Sequence, residues 1–162
     1  SGGAGGYSHM SAELFTLLTG AKMTDVTYKG AAPAMTALIG GETQVMFNTA
    51  TTTLPHVKAG RLRAIAATSA KRIVALPDLP TIAESGVAGY ENSSWTAIGA
   101  PAGTSRAIIA RLNQEFALVL LMPEIRERQL AAGAEILGGT PDEARAYLAS
   151  EFDKFGRLVK AR

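Results

Sequence analysis

Gly2-Gly3-Ala4-Gly5-Gly6-Tyr7-Ser8-His9-Met10 is a glycine-rich loop that runs into a helix. Met10, Leu14, Leu17, Leu18 and Ala21 recur at helical spacing after it, Ser8 suits an N-cap, and Gly20 suits the helix end. Glycines let backbone approach a ligand closely, and a helix start offers free N–H donors with partial positive charge. The stretch therefore suits an anion: a carboxylate, phosphate or sulfate. It lacks the Gly-Lys-Ser/Thr ending of a Walker A loop. It also breaks the dinucleotide fingerprint, because Ser8 stands where the last glycine belongs. A loop of this kind normally follows a strand, so the chain reads as opening inside a structural unit, a portion of a longer protein.

Outward from the loop, helix and strand signals alternate. Thr24–Lys29 reads as a strand, Gly30-Ala31-Ala32 as a second small-residue loop, and Pro33 falls in the first turn of a second helix closed by Gly40-Gly41. Val45-Met46-Phe47 within Gln44–Asn48 predicts a strand buried on both faces. A short helix is expected from Thr53 or Leu54 to Ala59, then a buried strand over Leu62–Thr68. This order predicts an α/β layer with a mainly parallel sheet. Pro77, Pro80, Gly86 and Gly89 interrupt the rhythm, with one helical turn expected at Thr81–Ser85 and a strand over Ser93–Ala100 carrying Trp95.

From Ser105 onward the pattern turns helical. Ile108, Leu112, Phe116, Val119 and Leu120 form one stripe, Pro123 opens a further helix ended by Gly133, and Ala134–Leu137 is a short strand candidate. Thr140-Pro141-Asp142-Glu143 is a capping box with proline at the first helical position. Phe116, Phe152 and Phe155 call for a partner surface.

Composition narrows the classes. The 162 residues carry a formal charge of +2, with no basic block, which argues against nucleic acid as a partner. There is no cysteine, so disulfides, thiolate metal sites and a cysteine nucleophile are excluded. His9 and His56 lack metal-ligand spacing, so neither metal nor cofactor is expected. No Gly-x-Ser-x-Gly elbow or acid/base pair accompanies Ser8 and His9.

Several stretches in order resemble one family. They are Gly6-Tyr7-Ser8-His9-Met10-Ser11-Ala12-Glu13-Leu14-Phe15, Tyr28 to Ala34, Gly41 to Asn48, Leu54 to Gly60, Leu76 to Gly86, Ser94-Trp95, Ala100 to Thr104, and the tail Gly138 to Lys160. They resemble the Bug proteins, the extracytoplasmic solute receptors of tripartite tricarboxylate transporters. The resemblance implies a type II periplasmic-binding-protein-like α/β fold. Residues 1–92 would form most of the second ligand-binding lobe. Residues 93–162 would form a crossover strand and C-terminal helices of the first lobe, whose N-terminal half this chain lacks. It further implies a periplasmic, non-enzymatic receptor with a small carboxylate ligand and membrane transporter subunits as partners. Carried over, the site is Gly6, Ser8 and His9 at the first helix start, Gly30, Ala31 and Ala32 at the second, and Asn48 and Thr49 at the third. Where the family often has aspartate after the phenylalanine, this chain has Asn48, which favours a plain mono- or dicarboxylate over an amino acid. Two rivals stand beside this reading: a helix-swapped homodimeric interaction module, and an α/β enzyme acting on a small acid.

Overall fold

The computed structural model describes residues 1–160, and the chain divides into two compact units, Ser1–Ser94 and a second beginning at Trp95. The first unit holds α1 (Tyr7–Thr19), α2 (Ala31–Ile39) and α3 (Ala50–Lys58). The second holds α4 (Arg106–Leu121), α5 (Pro123–Ala131) and α6 (Pro141–Lys160).

Glycines end the helices by a shared device. Gly41 takes φ 79°, Glu42 N–H donates to Ala37 C=O and Gly41 N–H donates to Leu38 C=O, which is a Schellman closure of α2. Gly60 and Gly133 close α3 and α5 with the same pair of bonds. Gly20, at φ 70°, ends α1 as expected. At these positive φ values a side chain would strain the backbone.

Two helix starts differ from expectation. Gly6, not Ser8, is the N-cap of α1, and Ser8 is the second helical residue, beyond the position from which a hydroxyl caps. Tyr7 is drawn into the helix as its first residue, where its phenol reaches Thr68. Helix α3 starts at Ala50, three residues before Thr53. Thr49 is its N-cap, and Thr53 sends both its N–H (3.1 Å) and its hydroxyl (3.0 Å) back to the Thr49 carbonyl. Pro55 sits inside this helix.

The strand expectations are corrected more substantially. Among the described residues no strand is assigned at 24–29, 44–48, 62–68, 93–100 or 134–137, and the one isolated β-bridge is parallel, Ala67 with Thr81. Val45 is 48% exposed and Ile65 66%, so these segments are not buried on both faces. The hydrogen bonds show why. The Ser1 nitrogen donates to Val26 C=O (2.6 Å), Tyr28 N–H to Ser1 C=O (2.9 Å) and Gly30 N–H to Gly2 C=O (3.0 Å). That is parallel pairing, and it joins segment 26–30 to the residues leading into α1 rather than to segment 44–48. Alternating helix and strand signals fix the order of segments but not which extended segments are neighbours.

The first unit's core is Met10, Ala34, Met35, Ala37, Leu54, Ala67, Ile82 and Tyr90. Phe15 links two sides of it, with its ring 5.9 Å from Phe47 and 6.2 Å from Tyr90. In the second unit, Trp95 donates its indole N–H to Glu151 of α6 (3.2 Å) and meets Tyr147 edge-on. Helix α4 has no buried residue, and Phe152 of α6 is 78% exposed. The aromatic and aliphatic stripes read from the sequence thus lie open.

Candidate functional site

The starts of α1, α2 and α3 share an unusual economy. Their N-cap residues are Gly6, Gly30 and Thr49; none makes a side-chain cap hydrogen bond, and no acidic residue lies in any first turn. The second unit is built differently. Ser105 accepts from Ile108 N–H at the start of α4, α5 carries Glu124 in its first turn, and α6 opens on the Thr140–Glu143 box. A capping side chain would occupy the orphan N–H groups and an acid would offset the positive end of the helix dipole. All three helices of the first unit leave both available to an outside anion.

Close backbone contact draws two of these starts together. A Cβ built on Gly2 would lie 3.1 Å from Ala31 N and 3.1 Å from Gly30 C, so a side chain there would require the second loop to give by a few tenths of an ångström. Gly30 and Ala31 form the other side of this contact, Ala32 follows them in α2, and Gly6 heads α1 further along the first loop. Asn48 and Thr49 form the third start. Asn48 Oδ1 accepts from Thr49 N–H (2.9 Å), and no hydrogen bond among the described residues joins this pair to Gly30–Ala32. Its tie to α1 is the neighbouring Phe47 against Phe15.

His9 has a defined structural task. Its Nδ1 accepts from Gly5 N–H (3.1 Å), and its Nε2 faces Glu13 Oε1 at 3.6 Å. The imidazole therefore steadies the glycine loop from inside the helix, with its proton assigned to Nε2. It is turned toward Gly5 and Glu13 rather than paired with Ser8.

The sequence reading missed a second layer beneath α1. Tyr7 Oη lies 2.7 Å from Thr68 Oγ1 and donates to Asn92 C=O at 3.4 Å. Tyr90 donates to Ser11 C=O (3.1 Å), and Asn92 Nδ2 donates to Ser11 Oγ (2.7 Å). Ser11 and Asn92 are fully buried, and burial pushes the Tyr90 phenol up from its ordinary value. These bonds span 61 to 85 positions of sequence or thereabouts, so they hold the α1 start in register on the far end of the unit. A serine on the apolar face of α1 was the available signal. A second capping box was also legible: Thr81 N–H donates to Glu84 Oε2 and Glu84 N–H to Thr81 Oγ1, with Arg72 on the same carboxylate. The Thr81 N–H, then Arg72, hold Glu84 below the usual glutamate value.

The first unit thus has three helix starts without a side-chain cap hydrogen bond or a first-turn acid. The family model for the tripartite tricarboxylate transporter family receptor, TctC, matches residues 1–162, and the chain belongs to that family. Among its relatives, BugT of Bordetella pertussis is 35% identical over 96% of this chain, and a UPF0065 protein of Agrobacterium vitis is 37% identical over 97%. The alignments cover 48% and 46% of those proteins, so the chain spans about half the length of these curated relatives. A solved R. palustris protein, Rpa4515 with adipate, superposes with a TM-score of 0.94 at 36% identity over 99% of this chain and 54% of its own. The periplasmic binding protein BugD superposes at 0.88 with 33% identity, over 98% of this chain and 54% of its own. MatC from Rhodopseudomonas palustris with bound malate superposes at 0.81 with 27% identity, over 94% and 53%. These neighbours fit the expected type II binding-protein class.

Proposed function

We propose that this chain is the C-terminal part of a periplasmic solute receptor that captures a small carboxylate for a tripartite tricarboxylate-type transporter. The carrying observation is the set of three uncapped, acid-free helix starts in the first unit, set against the self-capped starts of α4 and α6. In this reading Ala31 and Ala32 at the start of α2, and Ser8 and His9 in the first turn of α1, supply backbone donors; the N–H groups of Gly6, Gly30 and Thr49 go to Gly3 C=O, Gly2 C=O and Asn48 Oδ1, and those residues shape the helix starts. Adipate and malate in the related structures are both dicarboxylates, the ligand class such donors suit. Asn48, neutral and locked through its carbonyl oxygen to Thr49, offers no carboxylate to an ammonium group, which favours plain acids over amino acids.

In this reading residues 1–92 form most of one ligand-binding lobe in a mainly parallel α/β layer. Residues 93–162 give a crossover segment and helices of the other lobe, and the remainder of the two-lobed fold comes from residues outside these 162. The open faces of α4 and α6 are then lobe interior, covered by that remainder rather than by a second copy. The reading as a receptor rather than a catalyst is supported by His9, which engages Gly5 and Glu13 rather than Ser8. Its partners are the carboxylate and the membrane subunits of the transporter.

The test is calorimetric titration of the full-length protein with adipate, malate, succinate, aspartate and glutamate. Binding of the plain diacids with the amino acids at least tenfold weaker is the expected result. Preference for aspartate or glutamate would overturn the assignment of Asn48, and binding of none would overturn the receptor reading.

A further inference from the structure

No aspartate or glutamate lies between Glu42 and Asp78, a span that contains Lys58, Arg61, Arg63, Lys71 and Arg72. Arg72 is held by Glu84 and by Pro77 C=O. Lys58, Arg61 and Arg63 are exposed and have no ion-pair partner among the described residues. They surround the Gly60 turn that closes α3, and each arginine borders a groove. On one side a groove of about 590 Å³ is lined by Val57, Leu62, Ile65, Leu76 and Leu79, with Arg63 at its wall and Asp78 its one acid. On the other a groove of about 310 Å³ runs between α2 and α3 past Met35, Ile39 and His56 to Arg61.

Part of this charge has a local explanation. His56 and Lys58 fall in the last turn of α3, where cations complement the negative end of the helix. Arg61 and Arg63 lie beyond the closing glycine and outside that task. Unpaired arginines beside apolar recesses are the arrangement that receives a carboxylate with an aliphatic side chain next to it.

We propose that the end of α3 with residues 61–65 is a docking face for an acidic, leucine-bearing segment of a protein partner. Arg61 and Arg63 take the carboxylates, and the groove lined by Val57 and Leu62 takes the aliphatic side chain. A peptide fits better than an anionic membrane for two reasons. Lipid-binding clusters gather about four to eight cations, more than Lys58, Arg61 and Arg63 at the Gly60 turn. Val57 and Leu62 are also recessed in a groove rather than projecting from a helix face, as insertion into a bilayer requires. The groove lined by Val57 and Leu62 contains no helix-start residue, whereas the one past Arg61 reaches Ala32 and Thr52 at the starts of α2 and α3; the inference rests on the first and stands whether or not the ligand is a carboxylate.

The experiment uses the full-length protein labelled with nitrogen-15 and the peptide acetyl-Glu-Leu-Asp-Glu-Leu-Glu-amide as probe. Amide shifts are expected at 56–65 and 76–80, with binding weakened about tenfold in Arg61→Glu/Arg63→Glu and in 0.5 M salt. A peptide with lysine at the acidic positions is expected not to bind. Absence of shifts, or equal shifts in the double variant, overturns the proposal. So does charge-dependent sedimentation with phosphatidylglycerol vesicles in place of peptide binding, which would assign the face to a membrane. Self-association abolished by the same double variant would assign it to a second copy and overturn it as well.

Discussion

Replacing Ser11 with alanine tests the buried layer under α1 directly. Ser11 and Asn92 are both 0% exposed, and their one side-chain bond is Asn92 Nδ2 to Ser11 Oγ at 2.7 Å. Asn92 Oδ1 already has no partner. Ser11→Ala removes the hydroxyl without opening room for a replacement, so the whole Asn92 amide is left unsatisfied. An orphaned buried donor costs about 1–3 kcal/mol, more than the hydrogen bond itself contributes. At about 2–4 °C per kcal/mol for a chain of this size, the melting midpoint falls by roughly 2–12 °C. Urea unfolding followed by circular dichroism measures the change, with the slope expected to stay constant. Asn92→Ala and the double variant complete a cycle. Because both single variants remove the same bond, the double is expected to cost less than their sum by at least about 0.5 kcal/mol. A Ser11→Ala effect within about 0.5 kcal/mol of zero, or an additive cycle, would refute the claim that this bond pins α1.

Gly6→Asp is expected to stabilise α1 by a few tenths of a kcal/mol while weakening dicarboxylate binding about tenfold, read by a thermal melt and a titration on the same sample. Gly2→Ala places a Cβ 3.1 Å from Ala31 N; a loss of about 1–3 kcal/mol is expected in urea, together with shifted amide resonances at 30–32. Thr140→Ala should destabilise α6 by about 1 kcal/mol at neutral pH. The Thr140 N–H and then its hydroxyl hold Glu143 below the ordinary 4.5, so the carboxylate's share of the capping is complete above that value and is lost as pH falls through the lower folded one. The difference between wild type and Thr140→Ala in melting midpoint should therefore narrow in acid without closing, because Glu143 N–H still donates to Thr140 Oγ1 at any pH.

Local chemistry was legible wherever a few neighbouring residues decide the outcome. Thr140-Pro141-Asp142-Glu143 gives the α6 start as expected, and Gly20, Gly41, Gly60 and Gly133 end helices at the predicted places. The family was legible because its motifs are spread along the whole chain. Strand pairing was not, since a run such as Val45-Met46-Phe47 specifies extended backbone but not its neighbour. The Tyr7–Thr68 and Ser11–Asn92 bonds were hidden for the same reason: each joins residues 61 and 81 positions apart, and neither member has a local pattern that names the other. Ser8 was misplaced as a cap because good capping chemistry two positions too late looks the same in one dimension as in the right place.

The bare helix starts also carry a consequence for evolution under selection for stability. Serine, aspartate or asparagine at Gly6, whose φ is -74°, would give a firmer α1, and such gains are normally easy to accumulate, whereas at Gly30, with φ 111°, a side chain would strain the backbone. On the proposed receptor reading, the gain at Gly6 would fill the seat of the incoming anion. The uncapped starts would then amount to stability held in abeyance and returned on capture, which at a ligand concentration of about a hundred times Kd is about 2.7 kcal/mol. A protein built this way should be most fragile when empty, and its thermal resilience should itself report whether it is carrying cargo.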